Sequence, residues 1–300
     1  MPDSSKLYRG RFAPSPTGPL HLGSLIAAVA SYVDARSNQG AWLVRMDDLD
    51  PPREMAGAAD SILHALVQHG LHWDEQVLWQ SARSAAYDRA LAQLDLAGHT
   101  FRCQCTRATL APDGACRGAC LDQPPPADTP CSTRIVVAAD CRIAYLDQVQ
   151  GLQQCSLGHD EANFLVHRRD GLYAYQLAVV VDDAHQGITH IMRGSDLLTT
   201  TPRQVYLQQT LGHPSPAYCH IPVITNQLGQ KFSKQHHATP LNNDVAAENL
   251  RKVLKFLCQA EPPPELATTD QILAFAADQW SVERIPGVLA IAADQHNSTL

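Results

Sequence analysis

The fold is decided by residues 11–24, which read RFAPSPTGPLHLGS. The apolar run at 7–12 predicts a first strand, and the prolines and glycines that follow exclude a helix until about Ser24. From there SLIAAVASYVDARSNQ carries apolar residues at helical spacing, Gly40 ends the helix, and AWLVRMDD predicts a second strand. Strand, glycine-bearing turn, helix and strand open a βαβ unit, so we predict an α/β fold.

The turn within residues 11–24 has the composition of a phosphate site. It places small residues where the helix begins, so a phosphate can approach backbone N–H groups and the positive end of the helix dipole. His21 lies among these residues. The alternative is a proline-rich turn with a chance histidine. HLGS alone does not exclude that alternative, but the full string favours the phosphate site.

A second motif, Lys231-Phe232-Ser233-Lys234, follows the stretch NQLGQ. Two lysines three residues apart on a glycine-bearing loop can face one polyanion and neutralise the charge of a leaving pyrophosphate. Alone, this tetrapeptide is common in solvated loops. Because it follows the first motif by about two hundred residues, the pair of motifs favours a phosphate-binding role for these lysines.

HLGS and KFSK resemble the two signature motifs of class I aminoacyl-tRNA synthetases. RFAPSPTGPLHLGS is similar to the opening of the glutamyl- and glutaminyl-tRNA synthetases in particular. Three further strings agree with this resemblance: RMDDLD at 45–50, AYQLAVVVDD at 174–183 and IMRGSD at 191–196. The resemblance covers roughly residues 8–235 and implies a Rossmann-like class I synthetase catalytic core that is split by an acceptor-binding insertion.

The resemblance also implies roles for individual residues. It assigns glutamate binding to Arg11, Phe12, Ala13, Pro14, Ser15, Asp47, Tyr175 and Arg193. It assigns ATP binding to His21, Gly23, Ser24 and Lys234, with Mg²⁺ expected on the phosphates, and catalysis to His21, Lys231 and Lys234. The chemistry agrees, because arginine grips a planar carboxylate with two parallel hydrogen bonds.

Some of these assignments leave alternatives open. Asp47 stands where the family usually has glutamate, which keeps the charge but shortens the side chain, and Gln235 stands where the usual pattern has serine. Arg193 is either a ligand for the substrate carboxylate or a structural arginine paired with Asp196. Tyr175 is either a pocket residue or ordinary core at the head of a strand.

The resemblance divides the chain into four segments. We predict that residues 1–99 form the first half of the catalytic core and 100–172 a zinc-binding, acceptor-type insertion. The second half, with the KFSKQ loop, spans 173–235, and a short helical stem-contact segment spans 236–300. The periodicity further predicts helices at 54–69, 81–98 and 202–211, a buried parallel strand at the AVVV run 178–181, and C-terminal helices interrupted by Pro262–Pro264.

Four of the nine cysteines crowd into one stretch, at Cys103, Cys105, Cys116 and Cys120. Thiolates in close pairs build tetrahedral zinc sites within short loops, so we predict a structural Zn²⁺. The C-x-C pair is tighter than the usual spacing. The alternative is a set of free thiols, and Cys131 is the most plausible substitute ligand.

The segment after KFSKQ is short, and full-length glutamyl-tRNA synthetases continue much further into an anticodon-binding domain. This pattern resembles the glutamyl-Q-tRNA(Asp) synthetase family. The resemblance implies that glutamate is activated without tRNA and then transferred to queuosine in the anticodon loop of tRNA(Asp). The alternatives are a conventional glutamyl-tRNA synthetase with a separate anticodon-binding partner, or a zinc-dependent nucleic-acid binding module without catalysis.

Composition limits the remaining possibilities. A hydrophobic content of 45% is enough for a buried core. The formal net charge of -7 disfavours wholesale attraction to nucleic acid, so a tRNA partner needs a local basic face. Residues 25–33, the longest apolar stretch near the start, are too few to span a bilayer, and the first residues lack the apolar core of a signal peptide. We therefore expect a cytoplasmic protein without membrane contact.

Overall fold

The computed structural model describes residues 7–106, 108–110, 116, 118–160, 163–226 and 240–293. The predicted opening is confirmed: strand β1 (Arg9–Phe12) leads through the turn into helix α1 (Leu22–Ser37), which returns to strand β2 (Ala41–Met46) parallel to β1. The helix begins two residues earlier than predicted, because the His21 side chain caps it by accepting a hydrogen bond from the Ser24 N–H.

The other elements follow in chain order. They are α2 (Ala58–Gln68), β3 (Leu78–Trp79), α3 (Ser84–Leu96), β4 (Thr100–Cys103), α4 (Ala119–Asp122), β5 (Ser132–Ile135), β6 (Ile143–Asp147), β7 (Gly151–Cys155), α5 (Leu157–Asp160), β8 (Leu165–His167), α6 (Tyr175–His185), β9 (His190–Gly194), α7 (Thr201–Leu211), β10 (Ala217–Ile221), β11 (Val223–Thr225), α8 (Ala246–Phe256), α9 (Thr269–Asp278) and β12 (Ala290–Ala292).

The parallel strands lie in the middle layer of the molecule. One sheet has the order β1-β2-β3 and a second has the order β7-β6-β10-β9. The two sheets meet where the Thr189 N–H, just before β9, donates to the Arg9 carbonyl of β1 at 3.0 Å. Both halves of the chain therefore contribute strands to one parallel layer.

Helices cover both faces of this layer. Along β2, the buried side chains of Trp42 and Val44 join the core formed with α1, α8 and α9, whereas Leu43 joins the core formed with α3, α6 and α7. Alternate strand residues point to opposite faces, so each face has its own apolar core. The predicted α/β architecture is confirmed.

One predicted element was wrong. The AVVV run at 178–181 lies in helix α6 and not in a parallel strand. Eight successive residues of this helix, Gln176–Asp183, are buried, since α6 packs against α3, α7 and β8. A short apolar run that is buried all round shows no periodicity that separates helix from strand, and burial overrides the strand preference of valine.

The segment predicted as an insertion carries a small antiparallel sheet in the order β4-β5-β8. Within the same segment, β6 pairs with β10, so the hairpin of β6 and β7 extends the sheet of the second half. The four-segment division stays a prediction. The helices at 54–69, 81–98 and 202–211 are confirmed as α2, α3 and α7.

The C-terminal region holds α8 and α9, as the pattern predicts, and both pack against α1. The Trp280 indole N–H also donates to Asp34 of α1 at 2.9 Å. Strand β12, which the sequence did not indicate, pairs with β11. Within the described residues, none of the helices is long and apolar enough to cross a membrane.

Candidate active site

A cleft opens where β1, β9 and β10 end and α1 begins, with a volume of about 220 Å³. Ligands of open parallel sheets bind at this edge, where strand ends and helix N-termini meet. Eight predicted site residues line the cleft: Arg11, Phe12, Ala13, His21, Gly23, Ser24, Tyr175 and Arg193. The structure therefore brings together residues that lie far apart in the sequence.

The remaining predicted residues are placed differently. Pro14, Ser15 and Asp47 are not among the residues that line the cleft. Lys231 and Lys234 lie outside the described residues. The described chain on both sides of their segment reaches the site: Ile224 of β11 lines the cleft, and Pro240 forms a bridge with His21.

His21 is oriented by the start of α1. Its Nδ1 accepts a hydrogen bond from the Ser24 N–H at 3.3 Å. A nitrogen that accepts a hydrogen bond carries no proton, so the neutral ring has its proton on Nε2. His21 therefore presents an N–H donor beside the positive end of the helix, where a phosphate oxygen is favoured.

Gly23 is needed for close packing in this turn. A Cβ atom at this position would lie 3.1 Å from Cε1 of His21 and 3.4 Å from Cγ2 of Ile224. The distance to His21 is tighter than a normal van der Waals separation, whereas the distance to Ile224 is ordinary, so a larger residue would push against the ring of His21. The absence of a side chain at Gly23 thus lets the ring of His21 lie close to the start of α1.

Arg11 lines the cleft and belongs to a buried charge network, which we call the paired wall, that also contains Arg45, Asp47 and Asp183 behind the cleft surface. Nε of Arg11 donates to Asp183 at 3.1 Å, and Nη1 of Arg45 donates to the same carboxylate at 2.6 Å. Nε of Arg45 donates to Asp47 at 2.8 Å. All four side chains are buried. Each of the two arginines is therefore paired with a carboxylate inside the protein.

The two carboxyl groups of the paired wall differ in acidity. Burial acts to raise the pKa of Asp183, but the charges of Arg11 and Arg45 outweigh it and hold that pKa below the usual range. Burial raises the pKa of Asp47 to about 6, against the opposing effect of Arg45. Asp183 is therefore a fixed anion, whereas Asp47 gains or loses its proton near neutral pH.

The neighbouring Asp182 faces the opposite side of α6. Arg83 donates to it at 2.8 Å, Gln80 at 2.9 Å and Tyr87 at 2.7 Å. This aspartate anchors α6 to the segment around α3, away from the cleft. Adjacent acids on one helix thus have separate roles, one in packing and one in the site.

The second wall, which we call the neutral wall, surrounds Arg193 on β9. Its Nε donates to Nε2 of His220 at 3.1 Å, and its Nη2 donates to Thr201 at 2.9 Å and to Gln204 at 2.8 Å. The structure gives Arg193 no ion pair within the described residues, and its Nη1 is buried without a hydrogen-bond partner there. Arg193 therefore offers an unpaired cationic edge beside the cleft.

These contacts bear on the alternatives left by the sequence, and the substrate roles of Arg193 and Tyr175 stay predictions. Arg193 is held by His220, Thr201 and Gln204, so the described ion pairs do not support a structural pairing with Asp196. Tyr175 begins helix α6 and is 38% exposed in the cleft. It is therefore not core at the head of a strand.

Several site residues were not identified from the sequence. Arg45 and Asp183 each lie next to an apolar run, in AWLVRMDD and AYQLAVVVDD. A charged residue beside such a run was the available signal that it is buried. Asp147 and His220 form a buried pair at 2.6 Å behind Arg193. No spacing in the sequence relates these two, because β6 and β10 meet only in the sheet.

The four clustered cysteines converge near the end of β4 and around α4. Their Sγ atoms all lie within 4.8 Å of one another. Sγ of Cys105 is 3.7 Å from Sγ of Cys116 and 3.5 Å from Sγ of Cys120. Tetrahedral zinc with bonds of about 2.3 Å places sulfurs about 3.8 Å apart, so this set fits a zinc ion. The half-buried Cys131 is not part of the group.

The cysteine group is braced from outside. Nδ2 of Asn163 donates to the Cys116 carbonyl at 2.9 Å, and its Oδ1 accepts from the Val137 N–H at 3.0 Å. Arg169 donates to the Gln104 carbonyl at 2.7 Å. These contacts connect the cysteine loop to the strands behind it, which suits a structural metal site.

Comparisons with known proteins agree with this geometry. A family model described as tRNA synthetases class I (E and Q), catalytic domain, matches residues 8–115 and 122–258. The chain is 50% identical over 291 residues to a glutamyl-Q tRNA(Asp) synthetase of Thiobacillus denitrificans, covering 92% of this chain and 94% of that protein. It is 47% identical over 290 residues to the protein of the same name from Neisseria meningitidis serogroup C, covering 93% and 98%.

Solved structures show the same fold. The crystal structure of a glutamate-tRNA synthetase from Elizabethkingia anophelis matches with a TM-score of 0.78 at 20% identity, over 98% of this chain and 70% of that one. A glutamate tRNA ligase from Elizabethkingia meningosepticum, in complex with its amino acid, matches with a TM-score of 0.76 at 21% identity, over 98% and 68%. The predicted Rossmann-like class I catalytic core is confirmed.

Proposed function

The chain belongs to the class I tRNA synthetases (E and Q), and from this premise we propose that it activates glutamate with ATP and glutamylates a tRNA. The family makes it a ligase that uses ATP with Mg²⁺. In the more specific form of the proposal, glutamyl-adenylate forms without tRNA, and the acceptor is queuosine in the anticodon loop of tRNA(Asp). The names of the relatives at 45–50% identity support this acceptor.

The observation that carries the proposal is the unpaired edge of Arg193. A buried guanidinium whose described partners are all neutral favours an anion in the adjoining cleft. The side chain of glutamate ends in a carboxylate, which fits a guanidinium edge, whereas the amide of glutamine leaves the charge unpaired. Arg193 is thus the proposed partner of the substrate side chain.

The other cleft residues suit the remaining parts of the amino acid and ATP. Tyr175 lines the cleft and is 38% exposed. Asp47, which lies behind the cleft surface with Oδ1 bound to Arg45, is the proposed partner of the α-ammonium group. His21, Gly23 and Ser24 form the helix start, where phosphates are favoured. Lys231 and Lys234 remain the predicted phosphate-binding lysines.

The first step needs orientation and charge stabilisation but no protein nucleophile. An oxygen of the glutamate α-carboxylate bonds to the α-phosphorus of ATP, and the bond from that phosphorus to the bridging oxygen of pyrophosphate breaks. The N–H of His21 Nε2 and the first N–H groups of α1 stabilise charge on the phosphates. Mg²⁺ supplies further neutralisation on the phosphate oxygens.

In the second step a hydroxyl of the acceptor attacks the activated carbonyl. The new ester bond forms as the bond to AMP breaks, and the hydroxyl proton leaves to solvent or phosphate. The cleft is open on one side, where Tyr175 is exposed, which gives an acceptor access to the adenylate.

The experiment is glutamate-dependent exchange between ATP and pyrophosphate without tRNA, with Lys234→Ala as the catalytic control. Glutamate transfer is then measured with tRNA(Asp) that carries or lacks queuosine and with tRNA(Glu), each before and after enzymatic removal of the terminal adenosine. Transfer only to queuosine-bearing tRNA(Asp) is expected. Transfer to tRNA(Glu) that disappears with the terminal adenosine identifies a conventional synthetase, and no exchange either without or with tRNA identifies a non-catalytic binding module.

We also propose that Cys103, Cys105, Cys116 and Cys120 hold one structural Zn²⁺, supported by the spacing of their sulfurs. Purified, unchelated protein should contain about one zinc per chain by elemental analysis. Cys116→Ala should release the metal and lower the melting temperature. The rate of glutamate activation at a temperature where the variant is folded should change little, because the cysteine loop lies outside the cleft. Cys131→Ala is the matched control and should retain the metal. Protein without zinc contradicts the proposal.

A further inference from the structure

The hydrogen bond between Arg193 and His220 dictates the protonation of the histidine. Arginine can only donate, so Nε2 of His220, 3.1 Å from Nε of Arg193, must accept and carry no proton. The ring proton therefore lies on Nδ1, which is 2.6 Å from Oδ2 of Asp147. The Thr201 hydroxyl also lies 3.0 Å from this Nε2, but it donates its one proton to the Leu197 carbonyl at 2.8 Å, so Arg193 is the donor to Nε2.

Asp147 is itself fixed in place. Its carboxylate accepts the backbone N–H groups of Val149 at 3.1 Å and Gln150 at 2.9 Å, and also that of His220. The side chains of Asp147 and His220 are completely buried. Neither side chain lines the cleft, and His220 contacts the cleft residue Arg193 directly.

The strands set this arrangement. His220 on β10 is the direct neighbour of Arg193 on β9, and Asp147 ends β6 on the other side of β10. The ring of Tyr218, also on β10, lies 5.6 Å beneath the guanidinium carbon of Arg193. Three adjacent strands thus form a continuous support from a buried carboxylate to the unpaired guanidinium edge.

We propose that His220, held by Asp147 in the tautomer protonated on Nδ1, is a positioning residue that aims Arg193 at the substrate carboxylate. This inference rests on the proposed function. The guanidinium is planar, so the acceptor at Nε and the two acceptors at Nη2 together fix the direction of Nη1. His220 thereby contributes to the choice of a carboxylate over an amide without touching the substrate.

Two substitutions of His220 separate positioning from packing. His220→Asn keeps an N–H near the position of Nδ1 for Asp147 but removes the acceptor for Arg193. His220→Gln can place its carbonyl oxygen near the position of Nε2 and keep that acceptor. We expect the KM for glutamate in pyrophosphate exchange to rise about tenfold or more in His220→Asn and less than about threefold in His220→Gln. The KM for ATP should stay unchanged in both.

The preference for glutamate over glutamine should fall in His220→Asn and recover in His220→Gln. His213→Asn, on a half-buried histidine after α7 and outside the cleft, is the control and should behave as the wild type. Equal losses in both His220 variants, with the KM for ATP and the melting temperature changing alongside, would show that His220 serves packing only and overturn the proposal.

A second measurement does not depend on activity. Long-range ¹H–¹⁵N NMR spectra of the wild type, assigned by comparison with His220→Gln, should show an unprotonated Nε2 and a protonated Nδ1 for His220. A proton on Nε2 overturns the proposal even if the variants are inactive. If the wild type shows no glutamate-dependent exchange, the proposed function fails instead, and the NMR spectra still decide the hydrogen bond to Arg193.

Discussion

The paired wall and the neutral wall both contain buried arginine side chains, but they differ in whether the positive charge is balanced by a carboxylate. In the paired wall, Arg11 shares Asp183 with Arg45, so its charge is balanced before any ligand arrives. In the neutral wall, Arg193 has neutral partners within the described residues and one unpartnered nitrogen. We propose from this difference that the paired wall mainly holds the fold and the neutral wall mainly recognises the substrate.

This comparison refines the assignment made from the sequence, in which both arginines grip glutamate. Arg11 lines the cleft, yet its guanidinium is committed to Asp183. A second arginine that is already paired adds little attraction for a further anion, since most of its field is cancelled by the carboxylate. Arg193 therefore carries the main charge contact in our proposal.

The largest expected effect is on stability in the paired wall. Asp183→Asn removes the carboxylate that neutralises Arg11 and Arg45 and leaves two buried cations with only Asp47. We expect the free energy of unfolding in urea to fall by about 3–5 kcal/mol. Asp170→Asn, at an exposed pair with Arg168, is the matched control and should show no measurable change. Equal stability of the two variants contradicts the role given to the paired wall.

The next effect is on activity in the neutral wall. Arg193→Leu should lower kcat/KM for glutamate in pyrophosphate exchange by about a hundredfold or more, because the substrate carboxylate then lacks its cationic partner. Glutamine, which is neutral, should be affected less. The loss of unfolding free energy should stay below that of Asp183→Asn, since no ion pair is broken. A wild type that activates both amino acids equally is incompatible with this assignment.

The smallest effect is a pH dependence that arises in the paired wall. The pKa of Asp47 is raised to about 6 by burial, next to Arg45, Asp183 and Arg11. Lowering the pH from 7 to 5 protonates Asp47 and removes the proposed partner of the α-ammonium group, so the KM for glutamate should rise about tenfold. Asp47→Asn should have a high KM that does not vary over this range. The same variation in both proteins assigns the titration to another group.

The raised pKa also fixes the sign of a stability effect. The folded state binds the Asp47 proton more tightly than the unfolded chain, in which the pKa is near 3.8. This contribution to stability is therefore present below about pH 4 and is lost as the pH rises through about 6. Asp183, whose pKa is lowered, acts in the opposite direction and loses its contribution as the pH falls.

Much of the fold followed from local sequence. The prolines and glycines of residues 11–24, the apolar spacing of α1 and the strand pattern of β2 are short-range signals, and each one predicted its element. Helix α6 shows where such signals fail. Its valines favour a strand, but it is buried on every side, and the helix was selected by packing between layers that the local pattern does not encode.

The sequence by itself determined the α/β class, the strand-turn-helix opening and eight of the residues that line the cleft, because these lie within recognisable local motifs. Only the tertiary structure decided which charges are paired. Asp183 reaches Arg11 and Arg45, and Asp147 reaches His220, across strands and helices that are distant in sequence. The effect of a buried charge depends on its partners and on desolvation, and both are set by three-dimensional packing.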